Sequence, residues 1–225
     1  MIHWHPDENT LLEFVSGRLD TARSLFVSSH LHYCASCRSA VKNLEILGAS
    51  LLEDMESSQV SDNLLDDTLA AIDTAPIKEP EQCDRHRFPD NQTHFSYLPR
   101  AICHLVDGDL ENANWKWRWP GLKIADVAKQ EDCSLNLYWI SAGRKMPAHD
   151  HHHEEVTLII KGSFSDAYGT YRQGDVVTRH SKEKHAPVAG QNEDCFCLVL
   201  ETGNPIFGGF TGKLLNTAQS VFRAS

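Results

Sequence analysis

The chain has 225 residues, 41% of them hydrophobic, which excludes a disordered tail and allows one large or two small domains with real cores. Its formal net charge is −10 at pH 7, so it gains nothing from counterion release on a phosphate backbone, which argues against direct nucleic-acid binding; an acidic surface suits a basic protein partner or simply solubility. The first residues, Met1 to Glu8, lack a basic segment followed by an apolar one, and no run approaches a membrane span. We therefore expect a cytoplasmic protein, where its seven cysteines stay reduced and serve metal ligation or redox chemistry.

Residues 7–55 read as helical. Thr10 to Val15 form a short apolar helix stopped at Ser16-Gly17. Asp20 suits the N-cap of a second helix that carries Ala22, Leu25, Phe26 and Val27 and runs to about His30. A third follows Cys34, with Val41, Leu44, Leu47, Leu51, Leu52 and Met55 at three- and four-residue spacing. Ser61 is placed to cap a fourth, bearing Leu64, Leu65, Leu69 and Ile72. Residues 75–93, with Pro76, Pro80 and Pro89 among mixed charges, read as a linker.

From about Phe95 the period changes. Leu122–Val127, Ser134–Ile140, Glu155–Phe164, Asp175–Thr178 and Phe196–Glu201 are short, β-rich and punctuated by glycine or asparagine. Such a succession implies a sandwich or small barrel. The fold class is therefore α + β in two domains: a small helical domain over 1–75, a linker over 76–94, and an all-β domain over 95–225. Trp115, Trp117 and Trp119 alternate with cations, and read as an edge strand packing its tryptophans while the cations stay wet.

Two constellations carry chemistry. His30, Cys34 and Cys37 form H-x3-C-x2-C. On a helix these positions lie on one face. Zn2+ takes four nitrogen or sulfur ligands in a tetrahedron, and the fourth would come from His3 or His5. His32 points elsewhere and reads as solvated. A site closed by four protein ligands is structural, contributing on the order of 10 kcal/mol to a thin helical core. A redox switch, in which Cys34 and Cys37 oxidise and zinc leaves, is the alternative.

The second constellation begins at Gly143 and reads G-x5-H-x-H-x3-E-x6-G through Gly162. On a strand alternate residues share a face, so His149, His151 and Glu155 can point inward together. His153 has the same parity but falls where the strand bends, and is a weaker candidate. A further ligand from a later strand is His185, preferred to His180. This donor set suits Zn2+, Mn2+ or Fe2+ and leaves coordination positions open to a small molecule or an oxygen species. Cys195 and Cys197, two apart in an apolar strand, are candidate sensing thiols near that metal; buried core cysteines are the plainer alternative.

Residues 143–162 resemble the first motif of the cupin superfamily, which implies a jelly-roll barrel. The second motif departs from the family: Arg172-Gln173 stand where a proline usually precedes Gly174-Asp175. Joined to H-x3-C-x2-C, the chain from His5 through Cys197 resembles the ChrR family of anti-sigma factors. That resemblance implies zinc on His5, His30, Cys34 and Cys37, with His5 preferred to His3, and a cupin metal on His149, His151, Glu155 and His185. It also implies a partner, an extracytoplasmic-function sigma factor related to RpoE, held in the cytoplasm by the helical domain. Singlet oxygen or organic peroxide, acting through the cupin, would release it. The protein would then be a regulator, not an enzyme. The other reading is a metal-dependent cupin dioxygenase with a helical appendage, which would not need His30, Cys34 and Cys37.

Overall fold

The computed structural model describes residues 2–75, 98–103, 106, 110, 113–151, 154–181, 183–202 and 205–207, the side chains of 150, 151 and 205–207 excepted. The expected linker over 76–94 lies outside the described residues.

Four helices come first: α1 (Glu8–Val15), α2 (Thr21–Tyr33), α3 (Ala35–Glu53) and α4 (Leu64–Thr74). Asp7 caps α1 by accepting the Thr10 N–H, and Asp20 caps α2 by accepting the Arg23 N–H at 2.9 Å. Ser61 does not cap α4. Asn63 occupies that position without a side-chain bond, and only the Ser61 carbonyl accepts from Leu64 N–H. A short α5 (Arg100–Cys103) precedes the strands, where strand alone was expected.

The β-rich part holds β1 (Lys116–Trp119), β2 (Leu122–Lys129), β3 (Cys133–Ile140), β4 (His149–His151), β5 (Glu155–Lys161), β6 (Ser163–Asp166), β7 (Gly169–Arg172), β8 (Val176–Arg179), β9 (Val188–Ala189), β10 (Cys195–Thr202) and β11 (Pro205–Phe207). They form a six-stranded sheet in the order β1-β2-β3-β10-β5-β8, a three-stranded sheet β7-β6-β9, and a pair β11-β4. Neighbours in each are antiparallel. The expected single strand from Glu155 to Phe164 is two strands, parted at Gly162. Its φ is +76°, and a Cβ there would meet the Asp194 carbonyl at 2.5 Å, so only glycine fits this corner.

Strand alternation gives the large sheet two buried faces, which explains strands that are apolar throughout. Leu135, Leu137, Leu158, Ile160, Leu198 and Leu200 face one core, which Ala22 and Phe26 of α2 and Ile102 of α5 complete. Tyr138, Ile140, Ile159, Cys195, Cys197 and Val199 face a second core with Phe164, Tyr171 and Ala189. A third cluster joins Leu11, Val27, Cys34, Cys37 and Val41. The division expected at residue 75 follows the change of period. Packing instead parts the chain into Met1–Glu45 with Phe95–Ser225, and Ile46–His94. The reason is α2, whose Ala22 and Phe26 are buried in the core of the sheet.

Within the second unit every described residue, 46–75, is exposed. Leu52 and Leu65 are each 69% exposed, and Leu47, Leu51, Leu69 and Ile72 are exposed with them.

The tryptophan segment differs in detail from expectation. β1 is an edge strand, but Trp117 is 70% exposed with the Lys123 ammonium 5.0 Å from its ring. Trp115, just before the strand, packs on Trp139 and Phe196 instead.

Candidate metal centres

The helical site is built at a break, not on one helix. Cys34 is the C-cap of α2, in extended conformation (φ −100°, ψ 105°), and α3 begins at the next residue. A third helix was expected after Cys34 and begins there, so the three ligands do not share one helical face: His30 lies in the last turn of α2 and Cys37 in the first turn of α3. Cys34 Sγ accepts the Cys37 N–H at 3.4 Å, as an N-cap side chain does. This places the sulfur at the N-terminal end of α3.

Four donors converge there. His30 Nε2 lies 3.2 Å from Cys37 Sγ, and His5 Nδ1 lies 3.4 Å from both Cys34 Sγ and Cys37 Sγ. All four ligand atoms fall within 4.8 Å of one another. The edge of a tetrahedron around Zn2+ with sulfur and nitrogen ligands is about 3.6 Å. The residues present therefore fit zinc. His5 joins the cluster and His3 does not; His32 is exposed, its ring against Tyr33.

The protonation states agree with ligation. Burial pulls the His30 pKa down to about 4, against a backbone hydrogen bond that opposes it, so the ring is neutral at pH 7. Its Nδ1–H donates to the Gly174 carbonyl at 3.0 Å, which leaves the lone pair on Nε2. Burial and the neighbouring Cys34 thiol push Cys37 up to about 12, the cost of a buried thiolate without a cation beside it.

The second cluster lies on the other face of the large sheet. His149 and His185 pair as an isolated antiparallel bridge, their rings 4.3 Å apart. His185 Nε2 is 3.9 Å from Glu155 Oε1. All three side chains are buried. His149 Nδ1–H donates to the Pro147 carbonyl at 2.9 Å, so its lone pair is on Nε2. Thr157 donates to Glu155 Oε1 at 3.3 Å. Burial, then the nearby Glu201 carboxylate, pushes Glu155 up to about 8. Two imidazoles and a carboxylate that resists ionisation are a donor set suited to a divalent cation. They line a small pocket with Tyr138, Met146 and Cys197.

The remaining expected residues fall as follows. His151 is on β4, its backbone opposite Pro205, and its side chain lies outside the described residues, as does His153. His180 is not in the cluster; its exposed ring lies 3.4 Å from Glu154. Cys195 and Cys197 are buried with their sulfurs 3.5 Å apart. The Cys195 neighbour and burial hold the Cys197 thiol well above its ordinary range, hence protonated and a slow nucleophile.

Sequence reasoning missed the supports of the second cluster. Glu201 accepts from Tyr138 Oη at 2.7 Å, buried beside Asn136. Its parity with Cys195 and Cys197 was the available signal. Asp166, behind His185, pairs with Arg179 Nη2 at 2.7 Å and lies 3.8 Å from His185 Nδ1. Asp20, Asp132 and Cys133 also cluster, but Arg23 pairs with both carboxylates and supplies the positive charge there.

A Cys/His cluster among the helices and a His/Glu cluster in the β-rich part are thus two groups of side chains that could each hold a metal ion. Residues 108–203 match the family model of the ChrR cupin-like domain. Over 222 residues the chain is 29% identical to the anti-sigma-E factor ChrR of Cereibacter sphaeroides, covering 99% of each. The crystal structure of Rhodobacter sphaeroides SigE in complex with the anti-sigma ChrR superposes with a TM-score of 0.72 at 26% identity, over 89% of this chain and 99% of that one. Along nearly its whole length the chain is therefore similar to ChrR anti-sigma factors, and residues 108–203 match their cupin-like domain.

Proposed function

We propose that the chain is an anti-sigma factor that holds an extracytoplasmic-function, RpoE-like sigma factor in the cytoplasm and represses its transcription. The observation that carries this is likeness along the whole chain to a ChrR protein solved bound to its sigma factor. The apolar residues of 46–75 supply the surface. Leu65, Leu69 and Ile72 share one face of α4 by spacing, and all are exposed. Uncovered apolar helices of this extent mark a partner site. No helix among the described residues is long and apolar enough to cross a membrane.

Zinc on His5, His30, Cys34 and Cys37 is structural in this reading, since four protein ligands leave no open position. The cupin-like domain holds a divalent cation, Zn2+, Mn2+ or Fe2+, on His149, Glu155 and His185 with His151. Bound there, the cation would supply a Lewis-acidic position open to a small molecule or oxygen species. The chain's own residues hold the lone pairs of His149 and Glu155 toward it and exclude bulk water with Tyr138 and Met146. Oxidative stress, as singlet oxygen or organic peroxide, releases the sigma factor through this domain. Cys197, lining the pocket, and Cys195 beneath it are the sensing thiols, slow to react until an oxidant enters. The protein is a regulator, with no catalytic residue assigned.

The test is co-expression of the full chain with a candidate sigma factor encoded beside its gene, followed by transcription in vitro. A zinc-containing complex that blocks transcription, lost in Cys34→Ala and kept in His149→Ala, is the expected result. A folded, zinc-loaded chain that binds no sigma factor would overturn the reading and turn attention to the cupin-like domain as an enzyme.

A further inference from the structure

Two of the four helical-site ligands rest on the same turn of the β-domain. The turn joins β7 to β8 at Gly174-Asp175. Gly174 takes φ +88°, and a Cβ there would fall 2.5 Å from Ile2 Cδ1 and 3.1 Å from Tyr33 Cβ. Its carbonyl accepts the Nδ1–H of His30 at 3.0 Å. Asp175 is buried. Its Oδ1 accepts the backbone N–H of His3 at 2.9 Å and of Trp4 at 3.4 Å, while Oδ2 accepts that of Arg172 at 2.9 Å. The Val176 N–H donates to the Trp4 carbonyl at 3.1 Å, and the Trp4 ring meets Tyr171 edge-on at 5.7 Å. The next residue along this docked arm is His5.

We propose that the Gly174-Asp175 turn is the outer shell of the helical metal site, with Asp175 a positioning residue that pins the Ile2–Trp4 arm and so delivers His5 to Cys34 and Cys37. This rests on the reading that those four residues hold zinc. His5 is the one exposed ligand of the set and the only one on no helix or helix cap. An undocked arm would present it in many geometries; a docked arm presents it in one. The Gly174 carbonyl does the same for His30 by fixing its tautomer. Zinc retention by the helices therefore depends on the β-domain, a dependence that the four ligands alone do not impose.

The experiment follows zinc loss from the full-length, zinc-loaded chain to a chromogenic chelator, with mass-resolved alkylation of Cys34 and Cys37 to identify which site empties. Three variants are compared with the wild type. Asp175→Ala removes the acceptor from the β-domain side. Asp175→Asn keeps one acceptor oxygen. His3→Pro removes the N–H from the arm and touches no bond internal to the β-domain, so it keeps the test decisive should Asp175→Ala fail to fold. Outer-shell partners are typically worth about 10–100-fold in metal affinity. Zinc loss and labelling of Cys34 and Cys37 should quicken by about that factor in His3→Pro and Asp175→Ala, and by less in Asp175→Asn. Labelling of Cys195 and Cys197 should not change. A folded His3→Pro chain that loses zinc at the wild-type rate would sink the positioning role and leave the zinc reading standing. A wild-type chain that takes up no zinc at Cys34 and Cys37 would sink both.

Discussion

His149 and His185 are joined by their backbones: each donates its N–H to the other's carbonyl, both at 3.1 Å. The pairing is independent of the imidazoles, so either ring can be removed without disturbing the register that brings them together. His185→Ala should therefore empty the cupin-like site and leave the helical zinc in place. Elemental analysis of the purified chain checks this, with one metal expected per wild-type site and the loss confined to the cupin-like domain. Loss of both metals would mean that the two sites do not load independently.

Cys34 caps α3 and, in the proposed reading, is also a metal donor. Cys34→Ser keeps a capping oxygen but replaces a soft thiolate by a poor zinc ligand. Cys34→Ala loses both, and the cap alone is worth about 1 kcal/mol. Both variants should lose zinc, with the alanine chain melting lower than the serine chain. Equal melting temperatures in the two metal-free variants would show that the sulfur does not act as a cap.

The spacing around Cys34 and the new helix after it were legible in the sequence, but the exact join was not. Tyr33-Cys34-Ala35 contains no glycine or proline, and α2 runs to Tyr33, past its expected end at about His30. The break comes from tertiary demand: His30, Cys34 and Cys37 close on one point together with His5, 25 positions before His30 in the chain. Strand positions were legible where both faces are buried, as in β3, β5 and β10, because continuous apolar runs mark them. Short strands such as β4 and β9, three and two residues long, have no period to read. The docking of His3 and Trp4 on Asp175 spans more than 170 residues and leaves no local mark at all.

The metal-free helical site should be acid-sensitive in a defined window. His30 is buried with its pKa lowered from 6.5 to about 4, so the unfolded chain takes up a proton that the folded chain refuses. Its contribution is fully present above pH 6.5 and is lost as pH falls toward 4, at about 1.4 kcal/mol per pH unit. Glu155 has the opposite sign. Its pKa is raised from 4.5 to about 8, so its contribution is present at low pH and is lost as pH rises through that range. The measurement is therefore a difference: urea unfolding of chelator-treated wild type against His30→Gln between pH 7 and pH 4. The wild type should lose more stability than the variant across that interval. Parallel curves would show that the His30 ring is not buried in the metal-free state.

Leu65 and Leu69 lie one turn apart on α4 and both are exposed. In the isolated chain, charging them removes no packing, so Leu65→Glu/Leu69→Glu should change stability by only about 0.5 kcal/mol or less per site. Against a sigma factor that covers this face the same pair should weaken binding at least about tenfold, since buried apolar anchors are worth about 2 kcal/mol or more. Calorimetric titration beside a thermal melt separates the two effects. Wild-type affinity in the charged variant would move the partner surface away from α4.

Asp166 and Arg179 form a buried ion pair, with side-chain exposures of 0% and 9%. Asp166 is also fully used: its Oδ1 accepts the N–H groups of Tyr168 and Gly169 at 2.9 and 3.2 Å. Asp166→Ala leaves the Arg179 guanidinium buried without its carboxylate, and breaking such a pair costs about 3–5 kcal/mol. Replacing both partners, as Asp166→Ala/Arg179→Met, removes the stranded charge and should recover part of that loss, although the turn bonds at Tyr168 and Gly169 stay broken. Urea midpoints of the two single variants and the double variant give the coupling directly. If Asp166→Ala and the double variant unfold at the same midpoint, the pair contributes nothing beyond the turn it caps.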